Sequence, residues 1–424
     1  MLKRILAIAL GMFLGSLLAL GGAQAWIWLR GGSERELQRS SAYVREIMEL
    51  VRSDYVEPGV EIDTMTHAAL RGLLESLDPH SQFMDARDYT NLREDIDSEF
   101  GGIGVQVEFV DDSVIVIAPI AGTPGERAGI RRGDRIVRID GEAMTGRGMN
   151  AVVNRLRGKP GTEVVVGLRR AGAEDDVEVT IERQRIRVES VTDVMVDADG
   201  IGYLRLSQFS EPTADELRRA LATLHDEGMR ALVFDLRNNP GGLLTAAAAV
   251  AEQFLPEGEM IVYTQGRHPD DQQEFFSTNR GEGVDVPVAV LINAGSASAA
   301  EIVAGALQVA HKAVVVGERS FGKGSVQSIY RLRRGEALRL TTAKYFLANG
   351  ETIHERGVLP DVDIVMSPED DANIALQRAR SDITDSAEFE RRFGFVPVAD
   401  RQYDAAKAIL QASLLVEERK VAGR

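Results

Sequence analysis

No cysteine occurs among the 424 residues. That absence removes zinc-thiolate sites and cysteine nucleophiles from consideration. An excess of positive charge is missing too: 49 Lys and Arg stand against 65 Asp and Glu, a net charge of −16. A phosphate-binding surface needs clustered basic side chains, so no nucleic-acid partner is expected. The acidic balance names no substrate by itself and reads as a solvated surface. The six histidines (His67, His80, His225, His268, His311, His354) fall in helices or polar loops, in no setting that suits a Ser-His-Asp triad. No Gly-x-Ser-x-Gly elbow surrounds Ser298. Internal repeats and low-complexity tracts are lacking, and no metal site or cofactor is expected. What remains is 44% hydrophobic and 27% charged, a globular composition with room for two or three domains of roughly 100–200 residues.

The N-terminus carries an address. Lys3 and Arg4 precede an apolar run from Ile5 to Leu20, and Ala23-Gln24-Ala25 has the small-x-small form of a cleavage site. Residues 1–25 therefore read as a secretory signal. Trp26–Leu29 lengthen the apolar stretch toward the roughly 20 residues that span a bilayer, so membrane anchoring through residues 5–29 is the alternative. Either way the body is exported.

The pattern then changes three times. Residues 26–98 form an N-terminal helical region, with Val44, Ile47, Met48, Val51 and Tyr55 at helical spacing, then Met65, Ala69, Leu70, Leu73 and Leu74, up to a break at Asp78-Pro79. This arm suits packing or dimerisation, and a homo-oligomer is expected. Residues 99–185 alternate in short strands with two small helices, near 124–129 and 149–156, as in a compact half-open β-barrel. From Ile201 the rhythm is strand–helix–strand: strands at 201–206, 231–236, 288–292 and 314–316, with helices from Thr213, Leu243 and Ser298. Thr213 and Glu216 read as a capping box, and 264–285 as a polar interruption. A hairpin, 325–332 with 337–347, ends an α/β core assigned to 186–366 with parallel strands and βαβ units. The tail, 367–424, reads as helical and polar. The fold class is multidomain α/β.

Ligands of open α/β sheets bind beyond the carboxyl ends of the strands. Three unusual segments fall there: Asn238-Asn239-Pro240-Gly241-Gly242, Asn293 to Ala299, and Ser320-Phe321-Gly322-Lys323-Gly324. A serine at a helix start can aim its hydroxyl into a cleft, while backbone N–H groups there and in a glycine turn stabilise an oxyanion. Ser296, its neighbour, reads as an ordinary cap. A lysine between glycines can present its amine to the serine. To serve as a base near neutral pH it must shed its charge against a reference pKa of about 10.4, a cost of roughly 4 kcal/mol that desolvation can supply. Gln327 lies four residues on and, in an extended chain, on the same face. Gly317 to Lys323 nearly spells a phosphate-binding P-loop, but Gly324 stands where Ser or Thr should ligate magnesium.

Together these motifs resemble the carboxyl-terminal processing peptidases, or tail-specific proteases. The likeness runs from about Tyr43 to Asp363. It rests on Leu77-Asp78-Pro79-His80-Ser81, Phe100-Gly101-Gly102-Ile103-Gly104, Ala128 to Asp134, Asp235 to Gly242, Gly295 to Glu301, Gly322 to Gln327, and Gly357 to Asp361. The resemblance implies Ser298 as nucleophile, Lys323 as general base and Gln327 as the amide that orients it. The implied oxyanion donors are the backbone N–H of Ala299 and of Gly241 or Gly242. Ala300 replaces a serine found in many relatives at a non-catalytic position. It also implies that 99–185 are a PDZ domain, where N–H groups around Gly101, Gly102, Ile103 and Gly104 cradle a substrate's C-terminal carboxylate while its tail adds as a strand. The expected compartment is the bacterial periplasm, soluble or bound to the inner membrane; an adaptor protein is left open. The competing reading, a non-catalytic PDZ scaffold on a degenerate protease core, should have lost a member of the Ser298, Lys323 and Gln327 set.

Overall fold

A computed structural model of the chain describes residues 34–422, apart from 111, 171, 174, 280–282, 381 and 382. The signal or anchor expected in residues 1–29 lies outside them. The described residues fall into two compact units that divide between Phe83 and Met84.

The first unit holds helices α1 (residues 34–54) and α2 (Ile62–Glu75) and leads into a short strand, β1 (Gln82–Met84). Leu37, Val44, Ile47 and Leu50 of α1 are exposed. Among the described residues no helix is long and apolar enough to cross a membrane.

The second unit opens with helix α3 (Ala86–Asp97), capped by the Asp85 side chain, which accepts from the N–H groups of Arg87 and Asp88. Strand β2 (Glu99–Gly102) follows, and then a small barrel. Its strands are β3 (Val105–Val110), β4 (Ser113–Pro119), β5 (Arg135–Ile139), β6 (Glu142–Ala143), β7 (Glu163–Arg169) and β8 (Val177–Glu182), with helices α4 (Pro124–Arg127) and α5 (Met149–Leu156). Sheet order is β3-β4-β5-β7-β8, so β3 is an edge. Val114, Val116, Ile136, Ile139, Val152, Val164 and Val166 fill its core. β2 pairs antiparallel with β9 (Gln184–Arg187), which returns the chain to the body.

The body is a six-stranded sheet, β10-β11-β12-β15-β16-β19. Strand β10 (Val191–Val196) runs antiparallel to β11 (Ile201–Leu206). From β11 onward β12 (Ala231–Asp235), β15 (Val288–Ile292), β16 (Ala313–Gly317) and β19 (Val362–Asp363) are parallel. The runs Ala231–Asp235 and Val288–Ile292 are buried throughout, as strands covered on both faces must be. Helices α6 (Thr213–Asp226), α7 (Leu244–Glu252) and α8 (Ala299–Val309) supply the connections, and Leu217, Val250 and Val303 pack with Leu232, Phe234 and Val290 in one core.

Three expectations are corrected here. Thr213 and Glu216 form no capping box: Pro212 is the N-cap, and the Glu216 carboxylate instead accepts from Ser190 N–H and hydroxyl at 2.8 and 2.7 Å. The polar stretch 264–285 contains the end of strand β13 (Met260–Gly266) and its antiparallel partner β14 (Gln273–Phe276). β13 pairs with β18 (Ala337–Leu347), which pairs with β17 (Ser325–Arg331). Lastly, the tail is polar on one side only. After α9 (Pro368–Ala379) and α10 (Ser386–Phe393), helix α11 (Arg401–Ala422) lays Ala406, Leu410 and Leu414 on Tyr203, Val233, Leu291 and other residues of the sheet's second face.

Leu410 is 1% exposed beneath that layer. Leu410→Ala is expected to cost about 2–5 kcal/mol, the usual range for a buried leucine, read as a lower urea midpoint at unchanged slope. A loss under about 1 kcal/mol would mean that α11 is no part of the core.

Candidate active site

β12, β15 and β16 are adjacent and parallel, so the three segments singled out in the sequence leave the same edge of one sheet. They are stitched together by hydrogen bonds. Ser296 is fully buried and is a strut rather than a cap: its hydroxyl donates to Leu236 O at 2.8 Å and accepts from Asn293 N–H at 3.0 Å. Ala297 N–H donates to Asn239 O at 2.9 Å, and Phe321 N–H to Ser296 O at 3.0 Å.

Ser298 is the N-cap of α8, with φ 56° and ψ −115°. A non-glycine residue in that region is strained by on the order of 1–3 kcal/mol and persists only where its surroundings impose it. Glu301, one turn into α8 and fully buried, imposes it. One carboxylate oxygen accepts from Ser298 N–H at 2.7 Å and Lys323 N–H at 2.9 Å. The other accepts from the Ser320 hydroxyl at 2.5 Å and Gly322 N–H at 2.7 Å. One carboxylate thus ties the backbone of the serine to the backbone of the lysine.

Ser298, Ala299, Lys323, Gln327, Gly241 and Gly242 all line one cavity of about 470 Å³, with Leu92 and Ile96 of α3 and Phe209 among its apolar walls. Burial lowers the Lys323 amine below the ordinary lysine range; the Arg339 guanidinium in the same cavity lowers it further, and the Glu301 carboxylate partly offsets both. Tyr345 joins the two expected catalytic residues. Its hydroxyl donates to Lys323 O, and it lines the same cavity as Ser298. Burial pushes that phenol up, Ser298 pulls it down and Glu301 adds to the rise.

Gln327 shares the cavity but its amide is engaged elsewhere, donating to Ser325 Oγ at 2.9 Å and Ser325 O at 3.1 Å. No hydrogen bond between described residues joins it to the Lys323 amine. The two glycines of the turn also differ. Gly241 N–H donates to Asn239 Oδ1 at 2.9 Å, whereas Gly242 N–H and Ala299 N–H meet no protein acceptor among the described residues. Gly241, at φ 98°, contributes by what it lacks: a Cβ there would sit 2.7 Å from Ser298 Cβ and 2.9 Å from Ala299 N. Any side chain there would crowd the Ala299 N–H.

The glycine stretch of the barrel separates similarly. Gly101 and Gly102 belong to β2 and pair with Arg185 and Gln184. Ile103 and Gly104 alone form the turn into edge strand β3, with Gly104 at φ 74°. Ile103 O accepts from Gly125 N–H at 2.6 Å and Gly104 O from Ile120 N–H at 2.9 Å. Those bonds fix the carbonyls of Ile103 and Gly104 and so the course of the turn.

Sequence reasoning missed Glu301, Tyr345 and Arg339. An acid in the first turn of a helix has an ordinary explanation in the helix dipole, and a tyrosine or arginine in a strand has none that marks it. A signal for Glu301 was nonetheless present: a carboxylate three residues after a serine, in an otherwise apolar helix start.

Residues 200–364 match peptidase family S41 and residues 115–170 match a PDZ domain. The chain is 38% identical over 366 residues to the carboxy-terminal-processing protease of Bartonella bacilliformis, covering 85% of this chain and 82% of that protein. It is 35% identical over 381 residues to the carboxyl-terminal-processing protease of Synechocystis, covering 86% and 88%. A solved S41 protease from Bacteroides fragilis, 17% identical, superposes with a TM-score of 0.52 over 87% of this chain and 97% of that one; at that identity the likeness concerns the fold.

Glu301→Gln replaces two acceptor oxygens by one and sets an NH₂ against N–H donors. A loss of about 2–4 kcal/mol is expected, since a buried donor left unpaired costs about 1–3 kcal/mol. Urea denaturation checks it, and a midpoint equal to the parent's would remove Glu301 as the clamp.

Proposed function

The chain belongs to peptidase family S41 and is a serine-type protease of the carboxy-terminal-processing kind, and from that premise we propose that it cuts exported proteins through a Ser298–Lys323 acyl-enzyme after its PDZ domain has taken hold of their C-terminal tails. The observation that carries the reading is the content of one cavity: a strained serine, a lysine whose charge is disfavoured, and two backbone N–H groups that meet no acceptor among the described residues.

In this mechanism neutral Lys323 takes the proton from Ser298 Oγ as that oxygen bonds to the substrate's carbonyl carbon. The carbonyl oxygen becomes an oxyanion facing Ala299 N–H and Gly242 N–H. Collapse breaks the C–N bond, and Lys323 gives its proton to the leaving amine. Water then repeats the sequence on the acyl-enzyme, with Lys323 again the base, and restores Ser298. Gln327 is assigned the orientation of the Lys323 amine, which requires its amide to turn from Ser325 once substrate is bound. In the barrel, Ile103 and Gly104 N–H hold the terminal carboxylate while the tail pairs with the open edge of β3; Gly101 and Gly102 shape that turn from within β2. The signal-like N-terminus supports export to the periplasm, and the exposed apolar stripe of α1 supports a homo-oligomer.

Two outcomes follow. The active form carries a deprotonated lysine, so kcat/KM on a small peptide should rise with pH through the lowered lysine pKa and then level off. Ser298→Ala should be inert but folded. Lys323→Arg should also be inert, because guanidinium keeps its proton. A rate that falls over the same range, with an active Lys323→Arg, would rule out lysine as the base. Separately, full-length Ser298→Ala should bind a free-acid peptide at least about ten-fold more tightly than its C-terminal amide, a difference of about 1.4 kcal/mol. Equal affinities by calorimetry would dispose of the carboxylate cradle.

A further inference from the structure

Helix α9 begins after the last parallel strand and reaches back to the site. Ser367 caps it, accepting from Asp370 N–H at 3.0 Å. Asp371, in its first turn, accepts through a single oxygen from two amides: Asn293 Nδ2 at 3.0 Å and Asn238 Nδ2 at 3.1 Å. These residues open the segments that follow β15 and β12. Asn293, 4% exposed, uses its own Oδ1 to accept from Asn238 N–H at 2.9 Å and Gly295 N–H at 3.1 Å. Its Nδ2 also reaches Asn238 Oδ1 at 3.1 Å.

An asparagine amide has two ends of nearly equal shape and opposite function. A carboxylate can only accept, so it selects the orientation in which both Nδ2 groups face Asp371. That choice turns Asn293 Oδ1 toward the two backbone N–H groups. The reversed amide would set NH₂ against them. Asn238, at φ 57°, is held in the left-handed region by these bonds, three residues before Gly241 and four before Gly242. The platform beneath is firm. Arg378 lies seven residues beyond Asp371, on the same face of α9, and its guanidinium meets buried Asp235 at 3.2 Å and also pairs with Asp400.

We propose that Asp371 is a positioning residue: by orienting the amides of Asn238 and Asn293, it sets the turn that presents Gly242 N–H to the oxyanion. The inference rests on the peptidase reading above. It touches no reacting atom, so its effect should fall on the rate rather than on substrate affinity.

The test compares steady-state cleavage of one peptide by the full chain and its variants, with the folded fraction measured by circular dichroism. Asp371→Ala should lower kcat about ten-fold and leave KM within about two-fold, less than the roughly 100–1,000-fold cost of deleting an oxyanion donor. Asp371→Asn keeps one carbonyl oxygen for both amides and should recover kcat to within about three-fold of the parent. Asn238→Gly keeps the left-handed backbone but loses the amide. It should show its own drop in kcat, and Asp371→Ala should add little to it in the double variant. An unaffected kcat in folded Asp371→Ala would overturn the proposal, as would costs that multiply in the double variant or no recovery in Asp371→Asn. Should Asp371→Ala fail to fold, an unchanged kcat in Asn238→Gly would overturn it equally. A parent that cuts no peptide would defeat the peptidase reading, and this inference with it; an active parent with indifferent variants would defeat this inference alone.

Discussion

Four donors converge on the Glu301 carboxylate, two on each oxygen, and the loop after β15 and the loop after β16 are both ends of that arrangement. A buried carboxylate is tolerated only when its lone pairs are used. Here the donors are three main-chain N–H groups and one serine hydroxyl, so satisfying the charge and closing the site are one event. The Lys323 backbone cannot move away from α8 without stranding a charge in an apolar interior. This holds the lysine partly buried, and burial is the main cause of its lowered pKa.

The same clamp accounts for the backbone at Ser298. Its left-handed φ is unfavourable for a residue with a Cβ. The strain persists because the N–H is held by Glu301, the preceding Ala297 N–H by Asn239 O, and the space opposite is kept clear by Gly241. Strain of this kind aims a side chain and frees the next N–H together. A relaxed helix start would give Ala299 N–H a different direction.

Much of this was legible in the residues. The buried runs 231–235 and 288–292 could only be central strands, and placing them in parallel was enough to bring three distant segments to one edge. The barrel's strands lie close to where alternation puts them. What escaped notice is also instructive. β14 is a largely exposed strand with no apolar face to announce it. α11 shows its apolar side only once there is a sheet for it to cover. Thr213 and Glu216 have the spacing of a cap, but Ser190, brought in from β10's start, competes for the carboxylate and wins. Gly101 and Gly102 look like their neighbours Ile103 and Gly104 until β9 pairs with them. Gln327 has the right spacing from Lys323, yet Ser325 is nearer. Each of these depends on a partner far along the chain, or on a choice between two partners of similar chemistry, and spacing records neither.

The sheet's second face is closed by α11, which follows in synthesis every strand that it covers. Until those residues emerge, Tyr203, Val233 and Leu291 lack their cover of Ala406, Leu410 and Leu414, and Arg237, which bonds Asp400 and Gln402, is missing part of its shell. Domains generally fold as units once their sequence is complete. The ribosome therefore delivers Ser298 and Lys323 well before the helix that closes the second face of the sheet carrying them. A chain released before Arg401 would leave that face bare and be an unfinished fold.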